Sequence, residues 1–153
     1  MSKSHPCPCT SGKIYRECCA PYHTGGREVP TAEDLVRARY AAFALGHVDF
    51  LWRTLHDQHD DRAMGREKVM AALRVASQAY KYMGLQILET EDLRVLYLAK
   101  LFQRGRDCSF IELAEFDREQ VGGGMRYLRG RSQDRSKVVG AVESLTMATF
   151  RPA

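Results

Sequence analysis

The chain lacks any run of about 18 apolar residues, so no segment is expected to span a membrane. Its first residues are polar as far as His5 and carry no apolar h-region of the kind that directs secretion. A cytoplasmic protein is therefore expected. Excess charge is small: 23 Lys and Arg against 19 Asp and Glu leave a net +4, which is no nucleic-acid signature by itself. Arg126, Arg129, Arg131, Arg135 and Lys137 do gather locally, but a solvated face explains them more simply than a phosphate-binding stripe. The hydrophobic share is 44% of 153 residues, enough for one ordinary domain core, with or without a small appendage.

What is present is cysteine. Disulfides are disfavoured in the cytoplasm, so five cysteines need another explanation. Four of them, Cys7, Cys9, Cys18 and Cys19, fall in a 13-residue window as two close pairs separated by eight residues. A tetrahedral ion takes four soft ligands, and two short bites joined by a loop can supply them. The ion then replaces the hydrophobic core that some twenty residues cannot build. Ser11-Gly12 suits a tight turn between the bites, and Lys13 and Arg16 offset the charge of four thiolates. All four positions come from protein, so a closed, structural site is expected, with zinc favoured and iron as the alternative. A redox pair or regulatory disulfide is the competing reading. His5 and His23 flank the cluster and read as surface histidines.

The pattern C-P-C-x-S-G-x5-C-C resembles the SEC-C motif, the metal-binding tail of the SecA translocase ATPase. Followed by Pro21-Tyr22 in a chain of this size, it resembles the YchJ-like family. That motif usually has glycine where this chain has Thr10; if the position needs φ > 0, threonine strains the turn.

Beyond the cysteines, Pro21, Gly25, Gly26 and Pro30 mark residues 20–30 as a linker or fixed loop. Thr31, with Asp34 three residues on, caps a helix that Gly46 stops. A short helix over 48–55 and a third over 66–82 follow, the latter burying Val69, Leu73, Ala76 and Tyr80. After Gly84 the period changes. Strands are expected over 85–89, 94–103, 108–117 and 125–130, with a turn at 104–107 and a hairpin at Gly122-Gly123-Gly124. In the second strand Val95, Tyr97, Ala99 and Leu101 share one face, and Leu96, Leu98 and Phe102 the other. Such a strand is central and covered on both sides. Helices followed by an antiparallel meander give an α+β class.

This order fits the same resemblance over residues 7–130. Its landmarks are Arg37-Ala38-Arg39-Tyr40-x-Ala42-Phe43, Thr54-x-His56, Gly84-Leu85-x-Ile87, residues 95–101, Ile111-Glu112 and Tyr127-Leu128-x-Gly130. The resemblance implies an NTF2-like, or cystatin-like, cone: a curved sheet wrapped around a long helix. The organisation expected is a metal-binding knuckle over 1–22, the cone over 30–131 and an extension over 132–153. In that extension Val138, Val139, Val142 and Leu145 suggest a weak amphipathic helix. Tryptophan, frequent in the family before the Gly-Leu pair and after the helix-end threonine, is replaced by Met83 and Leu55.

An NTF2-like cone can hold a small ligand between helix and sheet. Glu112 shares a strand face with Phe110 and Phe116, so an inward face puts a carboxylate among aromatics. It is a candidate base with His56 as proton partner. The plainer reading is a buried Glu112 satisfied by Arg39 or His56. His56, His59, Asp60 and Asp61 read as an exposed polar loop before a second metal site. Cys108 reads as ordinary strand packing.

Three functions are weighed. The first is an interaction module: a zinc-clamped knuckle presenting Lys3, Lys13, Arg16 and Arg27 with Ile14 and Tyr15 as anchors. By resemblance to the SecA tail, its protein partner belongs to the chaperone, ribosome or translocation machinery. The second is an enzyme or small-ligand binder using the cone. The third is nucleic-acid binding through the knuckle and the arginines at 126–135. Pairing through the sheet as a homodimer is expected by analogy alone.

Overall fold

The computed structural model describes residues 5–119 and 123–152. Lys3 and Gly122 lie outside these residues. No helix among them is long and apolar enough to cross a membrane.

The chain begins as a loop whose Pro6 and Ile14 form a single antiparallel bridge. A 3-10 turn at Tyr15–Glu17 and a one-turn helix α1 (Ala20–His23) follow. Part of the stretch expected to be a loop is therefore helical, because Pro21 sits at the helix start, where its missing amide costs nothing. Helix α2 (Ala32–Leu45) starts where Thr31 accepts from the Asp34 amide at 3.1 Å, and ends at Gly46 in the left-handed region (φ 80°). Leu35 and Ala38 are wholly enclosed, and truncating a leucine so enclosed costs about 2–5 kcal/mol. Helix α3 (Val48–Arg53) is short, and helix α4 (Arg66–Ala79) buries Val69.

Helix α4 ends three residues before the expected boundary, and strand β1 (Lys81–Thr90) starts four before its own. The cause is Tyr82. Its ring stacks on Phe43 and meets Tyr40 edge-on, and its hydroxyl donates to the Ala76 carbonyl at 3.0 Å. That ties the segment to the helices as an extended strand. Strand β2 (Arg94–Gln103) has the expected bounds. The two-residue β3 (Arg106–Asp107) turns back on it, and β4 (Phe110–Arg118) and β5 (Met125–Asp134) complete an antiparallel sheet in the order β1-β2-β4-β5. Strand β5 runs four residues past its expected end, because polar residues 131–134 pair with β4 as far as Phe110. Bulges in β1 and opposite Glu115–Phe116 bend the sheet around α2. This is the cone that the resemblance implies.

The outer face of the sheet carries Leu96, Leu98, Ile111 and Leu113, all buried. The C-terminal segment covers them with Val142, Met147 and Phe150. No α-helix forms in the segment; it runs through 3-10 turns at Arg135–Lys137 and Val142–Ser144. The broad outer face is blanketed by an extended path, which spreads apolar side chains further than one helix of this length does. Val139 is 96% exposed, so it is no part of this cover. β2 is thus apolar on both faces because both are packed.

Candidate functional site

Two places concentrate chemistry: the cysteine loop and the mouth of the cone. In the loop, the Sγ atoms of Cys7, Cys9, Cys18 and Cys19 all lie within 4.8 Å of one another. Cys9 and Cys18 are 3.6 Å apart, Cys18 and Cys19 3.8 Å. A tetrahedral zinc-thiolate centre with bonds near 2.3 Å needs sulfur separations of about 3.8 Å. The same distances are far too long for disulfides, and all five cysteines are free thiols. Hydrogen bonding to Cys7 and Cys9, then burial, holds the Cys19 thiol well above the ordinary range. Four thiolates so enclosed coexist only around a cation. The donor set can hold a metal ion, and Ser11 supplies a hydroxyl 3.2 Å from the Cys18 sulfur.

The loop packs against the cone. Thr10 stands at φ 58°, so the position does need the left-handed region. Its Oγ1 donates to the Leu85 carbonyl (2.8 Å) and accepts from the Leu85 amide (3.1 Å). Arg37 donates through Nη1 to the Cys9 carbonyl at 3.0 Å. His23, expected at the surface, is buried. Its Nε2 donates to the Ala38 carbonyl (2.7 Å), which leaves Nδ1 to accept from the Tyr15 hydroxyl (2.7 Å). Burial lowers its pKa to about 4, so it is neutral. Tyr15 therefore turns its hydroxyl inward, toward His23 and also His47 at 3.3 Å. His5 contributes its carbonyl to the Tyr15 amide.

The second place is a cavity of about 510 Å³ between α2, α4 and the sheet. Val36, Arg39, Tyr40 and Phe43 enter it from α2, and Tyr97, Phe110, Glu112 and Phe116 from β2 and β4. Glu112 does point inward. It accepts hydrogen bonds from Tyr97 on one carboxylate oxygen and from Tyr127 on the other. Among the described residues it makes no ion pair. Burial and then the nearby carboxylate hold both tyrosine pKa values well above 10, so both hydroxyls keep their protons and donate. A Cβ at residue 130 would overlap the carboxylate and come within 2.6 Å of the Tyr127 hydroxyl, so any larger residue there has to displace that hydrogen-bonded pair.

Arg39 is not Glu112's partner. Its Nη1 donates to the Leu51 carbonyl (2.8 Å) and Thr54 Oγ1 (2.7 Å), and its guanidinium lies 4.9 Å from the Tyr127 ring centre. His56 does not reach the cavity either: its Nδ1 accepts from the Gln58 amide, and its own amide pairs with the Tyr127 carbonyl beside β5. The lining histidine is His59, with Asp61 next to it. His59 caps the 3-10 turn Asp60–Met64 by accepting from the Asp61 amide at 3.0 Å. Among the described residues only the four cysteines form a metal-competent group, so the loop at 56–61 is none. Cys108 lines the cavity, with its sulfur 3.7 Å from the Arg106 carbonyl.

That Tyr97 and Tyr127 hold Glu112 is what the sequence alone did not show. Tyr97 lies directly across the ladder from Glu112, a relation that only the strand register reveals. The basic cluster also changes. Arg126 is 6% exposed and pairs with Glu28 and Glu119, both at 2.9 Å, while Arg129 pairs with Glu115. Arg126 is thus unavailable to phosphate.

Residues 31–130 match the family described as YchJ, middle NTF2-like domain. A UPF0225 protein of Deinococcus radiodurans is 42% identical over 96 residues, 63% of this chain and 66% of that protein. A second, from Bordetella bronchiseptica, is 34% identical over 130 residues, 77% of this chain and 91% of that protein. A SEC-C motif containing protein from Rhodopseudomonas palustris, solved in solution, superposes with a TM-score of 0.68 at 27% identity, covering 82% of this chain and 96% of that one. Another, from Psychrobacter arcticus, shares the fold at 19% identity with a TM-score of 0.65, covering 84% of each chain. Cysteine loop, cone and sequence likeness agree: the chain belongs to the YchJ-like, UPF0225 family.

Proposed function

We propose that the chain is a cytoplasmic, metal-clamped binder of a small molecule, with the cone as its receptor and the cysteine loop as a structural brace. One contrast carries this reading. On β2 and β4 the outward residues Leu96, Leu98, Ile111 and Leu113 are buried, as are the inward Val95, Ala99, Leu101, Ala114 and Phe116, while the inward Tyr97, Phe110 and Glu112 are only partly buried. Those three line the cavity, and bordering it is what leaves them accessible surface. The volume falls in the range of ligand pockets, about 300–1,000 Å³. Both Glu112 oxygens are engaged by tyrosine and His56 is remote, which favours binding over turnover.

The brace is assigned zinc, held by Cys7, Cys9, Cys18 and Cys19. The closed four-thiolate set favours it, with iron the alternative. Bound there, the ion would neutralise the thiolates and fix the loop; the residues themselves do the docking, through Thr10, Arg37 and His23. Xenon titration followed by NMR tests the cavity. Shifts are expected to cluster at Leu73, Ala99 and Leu101 and to vanish in a cavity-filling Ala99→Phe variant; shifts scattered over the surface would defeat the reading.

The interaction-module reading, with a chaperone, ribosome or translocation partner, retains one supporting observation. Lys13, Arg16 and Arg27 are all exposed. It loses Tyr15 as an anchor, since that hydroxyl is spent inside. A pull-down whose partner survives in wild type and is lost in a Lys13→Glu/Arg16→Glu variant would restore it.

A further inference from the structure

The chemistry lining the cone says which small molecules it suits. Glu112 is held in place by two neutral donors, yet among the described residues no cation stands within ion-pair distance of it. Enclosed carboxylates are normally matched by a positive partner. A second carboxylate, Asp61, faces the same space. Against these two negative groups stands one positive group, Arg39, already committed through Nη1 to Leu51 and Thr54 and laid against the Tyr127 ring. His59 is shifted by burial toward its neutral form and adds no charge.

The walls add a second, independent preference. Tyr40, Phe43, Tyr82 and Phe110 border the cavity, as do Tyr97 and Phe116. Aromatic faces carry a negative quadrupole and attract cations, most strongly those that shed water easily. Tetrahedral ammonium ions with carbon substituents are weakly hydrated, and their apolar bodies gain from leaving water. An anion would meet Glu112 and Asp61. A neutral hydrocarbon would leave Arg39, beyond ion-pair distance of Glu112, as the one positive side chain among the described lining residues set against both carboxylates.

We propose that the cone takes a small organic ammonium ion with an apolar body, its charge beside Glu112 and its body against the aromatic walls. The proposal rests on the reading of the cavity as a ligand site and goes further by fixing the ligand's charge. Arg39 then has a defined part. It holds the inner end of α3 through Leu51 and Thr54 and keeps Tyr127 turned toward Glu112, as a positioning residue.

The test uses the full metal-loaded chain and three probes of similar shape: phenyltrimethylammonium, its neutral isostere tert-butylbenzene, and benzenesulfonate. Binding is followed by NMR titration of the amides of Tyr97, Ala99, Glu112 and Tyr127. Phenyltrimethylammonium is expected to bind at least tenfold more tightly than tert-butylbenzene, with benzenesulfonate weaker than both. In Glu112→Gln the first two should bind within about twofold of each other. In Asp61→Asn, a change at the half-exposed rim that leaves the interior intact, the preference should shrink about two- to threefold. Equal binding of the cation and its isostere in wild type, or preference for the sulfonate, overturns the charge assignment and leaves the cavity reading standing. If none of the three moves these amides and xenon does not either, both fall together.

Discussion

The hydroxyl of Thr10 engages both backbone polar groups of Leu85, donating to its carbonyl and accepting from its amide. A residue in the cysteine loop thereby completes the start of the sheet, and it does so from a left-handed backbone (φ 58°) that a non-glycine residue pays for in strain. Glycine would remove the strain and the bridge together.

Two variants separate these effects. Thr10→Ala keeps the strain and loses the bridge, so a loss of about 1–3 kcal/mol is expected from the stranded Leu85 groups. Thr10→Gly should lose about 1 kcal/mol less, because the left-handed conformation becomes free. Denaturant unfolding of the two proteins in the same buffer measures the order; a reversed order would refute the account.

Metal content is the next measurement. Protein purified without chelator is expected to contain one zinc ion per chain, with four sulfur neighbours in X-ray absorption. Cys9→Ser, a change at a position with no solvent exposure, should abolish stoichiometric metal and lower the unfolding temperature. Stoichiometric metal retained in that variant would exclude the four-cysteine site.

Gly130 is expected to be irreplaceable only while Glu112 is present. Gly130→Ala forces a methyl group into the carboxylate and should cost about 1–3 kcal/mol. In a Glu112→Ala background the added cost should fall by at least about 0.5 kcal/mol. Strict additivity of the two changes would show that the contact does not matter.

His23 gives a pH dependence of known sign. Burial depresses its pKa from 6.5 to about 4 in the folded chain, so below 6.5 the unfolded chain binds the extra proton. Its contribution is complete above pH 6.5 and is lost as pH falls toward 4, by about 3 kcal/mol in all. Metal binding by cysteine is itself pH-dependent, so the readout is a difference. Between pH 7 and pH 4.5, His23→Gln should lose less stability than wild type does.

Much of this was legible beforehand. The four cysteines needed only their spacing, and α2 was bracketed by Thr31 and Gly46, whose capping roles are local chemistry. β2 was readable because apolar residues on both faces have one cheap explanation. What escaped depended on non-local facts. Tyr80 and Tyr82 continue the helical pattern in sequence, and only Phe43 and Tyr40 pull the segment into a strand. Residues 131–134 show no apolar alternation, because their pairing is with β4's backbone and none of their side chains has to be apolar: Arg131, Ser132 and Asp134 are exposed. The sequence put Glu112 on one strand face with Phe110 and Phe116, but that the face points inward and that tyrosines hold the carboxylate follow from register, and His59 rather than His56 from the path of a loop.

The C-terminal segment supplies a further prediction. Phe150, 3% exposed, seals the outer face of the sheet. Phe150→Ala is expected to cost about 3–5 kcal/mol. Deleting residues 138–153 should expose Leu96, Leu98, Ile111 and Leu113 and raise the species' mass above that of the full chain in light scattering. A truncated chain that keeps the full chain's oligomeric state and stability would contradict the packing described.

Helix α2 has two employers. On one side Arg37 and Ala38 hold the cysteine loop; on the other Arg39, Tyr40 and Phe43 shape the cone. Anything that slackens the thiolate cluster thus loosens the same rod that sets the spacing of the aromatic walls. If the cone takes a ligand as proposed, stripping metal from the cysteine loop is expected to change that binding through the shared helix.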